Sequence, residues 1–354
     1  MKENRKMTRR KTSKRKLILW FLLIFFLGTA GAATGYGAYL TKKAEKVTQD
    51  AQKELDRGQK SKKRKKVVDP NYDNISILFL GVDNSEKRNK ENPLSDALVL
   101  ATLNEEEKSM KLVSIPRDSY VYLPTEGYKD KITHAHAFGG VDASIAAVEN
   151  MFNVPVDYYV RLNFNAFIET VNSLNGISAE VPFDLKEQNS NDVDNAIELE
   201  KGYQKLNGEE ALALARTRKY DSDLERGQRQ MELMKAIFNK ASNPSSINKY
   251  GSVIDSIGSN MKTNMDFDEM MSLKEYVINR NNITFDTMQL EGEGQFLDDG
   301  LYYYMLEDDS LRNIRTSLQT HLDLYQSPGQ NDDNSDDVSN YADDDENQTQ
   351  EDPM

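Results

Sequence analysis

The 354-residue chain contains no cysteine. Disulfide staples, thiol catalysis and a lipidated cysteine anchor are therefore excluded. Histidine is nearly as scarce. His134, His136 and His321 are the three in the chain, and no further ligands stand at finger or H-x-x-x-H spacing, which argues against a zinc centre. There is no G-x-S-x-G elbow, so a serine hydrolase is disfavoured. Gly139-Gly140 lacks the partners of a phosphate loop or a dinucleotide fingerprint. Tyr158-Tyr159 and Tyr302-Tyr303-Tyr304 read as packing residues rather than a stacking platform. No internal repeat is found.

Charge is distributed in blocks. Residues 1–16 hold nine Lys or Arg against one acid, Glu3, and residues 17–40 hold no charge at all. About twenty apolar residues, rising about 1.5 Å each, cross a bilayer core of about 30 Å. Residues 17–40 thus predict one transmembrane helix, with the basic leader in the cytoplasm and the rest of the chain outside a single-pass cell membrane protein. Ala30-Gly31-Ala32 resembles a signal-cleavage site, but the uncharged run continues to Leu40, which favours an uncleaved anchor. Residues 41–70 form a polar connector with eleven basic residues against five acids. It reads either as a solvated stalk or as a segment resting on anionic head groups or wall polymers. Residues 327–354 carry ten acids and no base and predict a disordered tail. The remaining body, 71–326, holds 25 basic and 42 acidic residues, about −17. No general basic field exists there for nucleic acid, so an anionic ligand needs a local cluster of cations.

The body alternates strand and helix patterns. Ile75–Leu80, Ala97–Leu103 and Met110–Ile115 read as buried strands, the last two joined by the charged turn Asn104–Ser109. Val141–Phe152 reads as a helix, Val156–Leu162 as a strand, Phe164–Leu174 as a helix and Ile177–Val181 as a short strand. Asn207-Gly208-Glu209-Glu210 opens a further helix as a capping box, and another runs over Leu224–Lys240. Interleaving of this kind predicts an α/β fold with a mixed sheet flanked by helices.

Polar clusters stand where these elements end. Asp83 follows the first strand directly and Asp96 precedes the second, so two carboxylates at neighbouring strand ends can converge on one hard cation; two surface turn acids are the plainer reading. Pro116 stops the third strand and delivers Arg117-Asp118, and Lys129, Lys131 and His134 follow in a loop ending at Gly139-Gly140. The densest cluster is Arg216-Thr217-Arg218 through Arg229-Gln230. An extended backbone puts Arg216 and Arg218 on one side. Asp223, Arg226, Arg229 and Gln230 fall on one face of a helix. Guanidinium forks so placed suit phosphate oxygens, although a salt-bridged helix start uses the same residues. Two carboxylates, a divalent cation and about five arginines fit phosphoryl transfer, which is mostly positioning and charge neutralisation. Outside the cell there is no ATP, so the activated phosphate must arrive on a membrane carrier, and a lipid-linked pyrophosphate is the natural one.

These residues resemble the LytR–CpsA–Psr family of wall-polymer ligases. The resemblance runs from about Ile75 to Phe238 and rests on ordered motifs. They are Leu78-Phe79-Leu80-Gly81-Val82-Asp83, Ser95-Asp96, Ile115-Pro116-Arg117-Asp118, Asp130-Lys131-Ile132-Thr133-His134, Leu206-Asn207-Gly208-Glu209, Arg216-Thr217-Arg218, and Asp223 through Arg226 to Arg229-Gln230. It implies an α/β/α sandwich with an apolar channel for a polyprenyl tail and Mg²⁺ (or Mn²⁺) at Asp83 and Asp96. It further implies a pyrophosphate held by Arg117, Arg216, Arg218, Arg226 and Arg229 with Gln230, and Lys131 nearby adds a cation. The implied reaction moves a phosphorylated glycopolymer, such as wall teichoic acid, from polyprenyl pyrophosphate onto a peptidoglycan hydroxyl. Asp118 or Asp223 would take the proton or orient an arginine. Two positions depart from the family's pattern: Leu94 stands where an arginine is often found before Ser-Asp, and Met231 replaces a second glutamine. Hydrolysis of the same lipid, or a non-catalytic wall- or lipid-binding anchor, are the competing readings.

Overall fold

The computed structural model describes residues 35, 37–83, 93–219, 222–258, 260–273 and 283–324. The expected membrane helix over 17–40 lies almost wholly outside these residues, as does the expected tail over 327–354. Among the described residues no helix is long and apolar enough to cross a membrane.

Helix α1 (37–51) leads into the strands β1 (Ile75–Val82), β2 (Ser95–Asn104), β3 (Ser109–Ile115), β4 (Tyr120–Leu123) and β5 (Tyr128–Lys131). Then come α2 (Ile132–Phe152), β6 (Tyr158–Asn163), α3 (Phe164–Ser173), β7 (Ile177–Val181), β8 (Leu185–Glu187), β9 (Ile197–Leu199) and β10 (Gly202–Leu206). Helices α4 (Gly208–Arg216), α5 (Asp223–Ala241) and α6 (Tyr250–Gly258) precede β11 (Met261–Thr263) and α7 (Phe267–Ser272). The chain closes with β12 (Thr284–Gln289), β13 (Gly292–Phe296), β14 (Tyr302–Leu306) and α8 (Asp308–His321).

Six strands form the central sheet in the order β11-β6-β1-β2-β3-β12. It is mixed: β1 runs antiparallel to β2 and parallel to β6, and β3 runs antiparallel to β2 and parallel to β12. Alternation along the strands sends successive side chains to opposite faces. Leu78, Leu80, Leu98, Leu100 and Val113 pack with α2 and α8 on one side. Ile75, Ile77, Val99, Ala101 and Leu112 join Met231 of α5 and Met265 on the other. A third cluster, from α3, α4 and the β7–β10 pair, meets α5 at Leu233. The sequence-predicted α/β/α layering and mixed sheet are found.

Two segments differ from expectation. The stretch read as a loop up to Gly139-Gly140 is strand β5 followed by the first turns of α2. The helix is kinked at the two glycines rather than begun by them: Gly140 has φ 63° and ψ −145°, a conformation closed to residues with a Cβ. The segment read as a solvated stalk, 41–70, is packed onto the domain over its second half. Leu55 joins the core, Arg57 pairs with Glu149 at 2.7 Å, and Arg64 grips Asp157 at 2.9 and 2.6 Å. Asp157 also accepts hydrogen bonds from the backbone N–H and hydroxyl of Ser76, so the basic segment is tied to the start of β1. Counting charges cannot separate a solvated lysine run from one whose two arginines have buried partners far away in sequence.

Candidate active site

The antiparallel pairing aligns the ends of three strands. Gly81 lies opposite Ala97 and Leu98 opposite Ile115, so Asp83 after β1, Asp96 at the start of β2 and Arg117 after β3 emerge at one rim. Asn163, the N-cap of α3, arrives there because Val82 pairs with it. The first turn of α2 fastens the rim. Thr133 donates its hydroxyl to the Ser95 carbonyl at 2.8 Å, and the buried His136 bonds the Pro93 carbonyl through Nδ1 at 2.6 Å. Burial lowers the His136 pKa below its ordinary value, which keeps this tether neutral.

Below the rim, between the second face of the sheet and helices α3, α4 and α5, lies a cavity of about 600 Å³. Its walls are carbon over most of their length, from Phe79, Val99, Leu112, Val160, Phe238 and Phe285 among others. Its polar lining includes Asp83, Asp96, Arg117, Arg216, Arg218, Arg226 and Gln230. Seven of the eleven sequence-predicted site residues therefore meet at one cavity. Arg216 ends α4, Thr217 has φ −56° and ψ 137°, and this extended step turns Arg218 to the same cavity. Arg216 lies over the Phe164 ring at 4.7 Å, and Thr217, fully buried, donates to Glu187 at 2.9 Å. Helix α5 opens with a capping box between Ser222 and Glu225. Gly227 lets it approach β3: a Cβ there would stand 2.3 Å from the Ser114 hydroxyl. That close approach carries Arg226, 5 % exposed, to the cavity.

Three predicted residues, Asp118, Lys131 and Arg229, do not line it. Asp118 is 4 % exposed and accepts from Arg218 at 2.8 Å, with Lys131 at 3.4 Å and Arg117 at 3.6 Å. Burial alone would raise its pKa, but Arg117, Lys131 and Arg218 outweigh burial and hold it below the ordinary carboxylate value. A carboxylate so held is a poor proton acceptor and a good clamp. Lys131 reaches Asp118 and the Tyr303 ring, at 5.3 Å, instead of the cavity. Arg229 is buried, donating to the carbonyls of Leu214 at 3.1 Å and Thr217 at 2.8 Å. It holds the end of α4, the part of the chain that presents Arg216 and Arg218. Gln230 likewise donates to the Ala215 carbonyl at 3.1 Å while lining the cavity. Asp223 is the first residue of α5, and its side chain lies outside the described residues.

Arg117 also hydrogen-bonds Asp96, so the cation and carboxylate of the rim are interlocked. Among the described residues no three His, Cys, Asp or Glu side chains cluster as a metal cage. Two carboxylates beside arginines suit Mg²⁺, which commonly takes one or two carboxylates and completes its shell with water and substrate phosphate. The resemblance implied an apolar channel, but sequence reasoning named none of its wall residues, which come from nine separate elements with no shared motif. It also missed the Phe164 ring under Arg216 and the Tyr303 ring under Lys131.

Fold and site together define a class: an α/β/α domain that can hold an amphiphile by an apolar chain and an anionic head. Sequence comparison makes the assignment specific. The chain belongs to the LytR_cpsA_psr family, whose model matches residues 38–320. It is 42% identical over 323 residues to the Bacillus subtilis (strain 168) polyisoprenyl-teichoic acid–peptidoglycan teichoic acid transferase TagT, covering 89% of this chain and 98% of that protein. A solved structure described as TagT bound to LIIa-WTA superposes with a TM-score of 0.67 at 41% identity, covering 77% of this chain and 99% of that one. Another, the LytR-CPS2A-psr family protein YwtF (TagT) with bound octaprenyl pyrophosphate lipid, gives 0.62 at 38% identity, covering 77% and 99%.

Proposed function

We propose that this protein transfers a phosphorylated anionic glycopolymer, of the wall teichoic acid kind, from a polyprenyl pyrophosphate carrier to peptidoglycan, and that it does so outside the cell from a membrane anchor. The observation that carries this reading is the carbon-walled cavity whose polar lining holds four arginines and two aspartates. An apolar chain fits the walls and a pyrophosphate fits the arginines, whose planar forks bind phosphate oxygens in pairs. The relatives named as teichoic acid transferases, and the one with octaprenyl pyrophosphate bound, support the same assignment.

In the reaction a peptidoglycan hydroxyl oxygen forms a bond to the phosphorus bearing the glycopolymer. The bond from that phosphorus to the bridging oxygen breaks, polyprenyl phosphate departs with the bridging oxygen, and the hydroxyl proton is released. Such transfers ask little covalent chemistry of the protein. Arg117, Arg216, Arg218 and Arg226 hold the pyrophosphate and offset charge gathering on the leaving phosphate. Asp118 orients Arg218 and Arg117, with Lys131 sharing its charge; Arg229 and Gln230 hold the arm that carries Arg216 and Arg218. Asp83 and Asp96 would hold Mg²⁺, which supplies further neutralisation of phosphate charge when bound; Asp96 would then share its carboxylate between the ion and Arg117.

The test is full-length protein in detergent with a defined polyprenyl-pyrophosphate saccharide, a peptidoglycan oligomer and Mg²⁺, followed by mass spectrometry. A phosphodiester-linked product with free polyprenyl phosphate, lost in Arg218→Ala, is the expected result. Free sugar phosphate without linkage would make the protein a hydrolase of the same lipid. Bound, unchanged lipid would make it an anchor.

A further inference from the structure

Hairpin β4–β5 carries a surface that the phosphate site does not use. In its register Tyr120 lies opposite Lys131 and Tyr122 opposite Lys129. Directly opposed residues of an antiparallel pair share a face, so two tyrosines and two lysines form one row. Val121 and Leu123, on the other face, are buried in the core. The row begins at the clamp: Lys131 touches Asp118, which holds Arg218. The next pair, Tyr122 with Lys129, lies two residues farther out along the strands, about 7 Å. Tyr122 is 43 % exposed and Lys129 is exposed. The inner ring, Tyr120, is braced rather than loose. Tyr303 meets Tyr120 edge-on at 4.9 Å, Lys131 lies over Tyr303, and Lys129 lies 6.0 Å from the Tyr120 ring centre. Strand β14 is docked alongside, with the Tyr304 N–H donating to the Asp118 carbonyl at 2.8 Å. Two acids near the row are engaged: Asp130 with His134 at 2.7 Å and Asp299 with the Tyr303 hydroxyl at 2.7 Å.

We propose that this row is a track for the glycopolymer itself, binding its first phosphodiester-linked repeats as they leave the clamp. The proposal rests on the transferase reading and adds to it the part of the donor beyond the pyrophosphate. The chemistry commits to that occupant. On a body of about −17 a polyanion is repelled except where cations are local, and this row continues the cations of the clamp outward. Tyrosine rings supply flat apolar area for a sugar or polyol, and the lysines beside them meet the intervening phosphates.

The experiment compares wild-type full-length protein with Tyr122→Ala/Lys129→Gln, two changes at exposed positions whose Tm should match wild type. Two donors are used: polyprenyl-pyrophosphate disaccharide, and the same lipid extended by several polyol-phosphate repeats. The variant is expected to use the short donor within about twofold of wild type while KM for the long donor rises about five- to tenfold, the combined effect of an exposed charge contact and a ring contact. Equal effects on both donors, or none, would overturn the proposal. Soluble polyol-phosphate polymer, titrated by calorimetry, separates this question from catalysis. Weaker binding by the variant supports the track even if neither donor is turned over, a result that would instead sink the transferase reading. Unchanged polymer binding, or loss of binding to peptidoglycan oligomers alone, would remove the track and leave the transferase reading standing.

Discussion

Gly227→Ala sets two effects of known size against each other. Alanine inside a helix is favoured over glycine by about 1 kcal/mol, so propensity alone predicts a more stable protein. Packing predicts the reverse. The new Cβ would stand 2.3 Å from Ser114 Oγ and 3.1 Å from Ser114 Cβ. The hydroxyl can rotate away, but the Cβ is fixed to β3, so α5 must move off the sheet. Overpacking of this kind costs about 1–3 kcal/mol, leaving a net loss of about 1 kcal/mol or somewhat more. At about 2–4 °C per kcal/mol for a domain of this size, calorimetry should show Tm about 2–6 °C lower. The functional effect should be larger than the thermal one, because Arg226 is the preceding residue and lines the cavity. A displacement near 1 Å in a positioning group can cost about a hundredfold in rate, so kcat/KM should fall about 10- to 100-fold in a protein still folded at the assay temperature. Ser114→Ala removes the nearer contact, and the double variant should recover part of both losses. A higher Tm with full activity in Gly227→Ala alone would refute the reasoning.

Asp118→Asn should cost about 1–3 kcal/mol, less than a fully buried ion pair because Arg218 and Arg117 are partly exposed, and should weaken donor binding. The Asp118 pKa is depressed, so its contribution to stability is present above the unfolded value near 3.8 and disappears as pH falls through the lowered folded value. The Tm gap between wild type and variant should therefore be constant above about pH 5 and close below about pH 4. An acid limb in the wild-type rate profile assigned to Asp118 above pH 5 would mean it acts as a base. Arg64→Met should lower stability by about 3 kcal/mol in chemical denaturation, since it strands Asp157, 3 % exposed, with the Ser76 bonds alone. An additional Asp157→Asn should recover much of that loss. Asp96→Ala should weaken the Mg²⁺ dependence of transfer; an unchanged metal titration would put the cation elsewhere.

Local chemistry determined much of this protein from sequence alone. Short apolar runs bounded by polar turn residues specify β1 to β3, Pro116 ends a strand and Asn207 caps a helix, because these signals act over a few residues. For the same reason the rim was legible: Asp83, Asp96 and Arg117 sit next to strand ends, and strand ends can be read from the chain. Tertiary structure alone decided which cation does what. Arg226 and Arg229 are three apart and share one face of a helical wheel, yet one lines the cavity and the other holds carbonyls of Leu214 and Thr217. Asp118 and Lys131 likewise became a clamp for Arg218 through a contact spanning one hundred residues. The cavity walls and the buried partners of Arg57 and Arg64 follow the same rule. Burial and pairing between distant segments set the role of a charged side chain, and neither is encoded in the spacing of its neighbours along the chain.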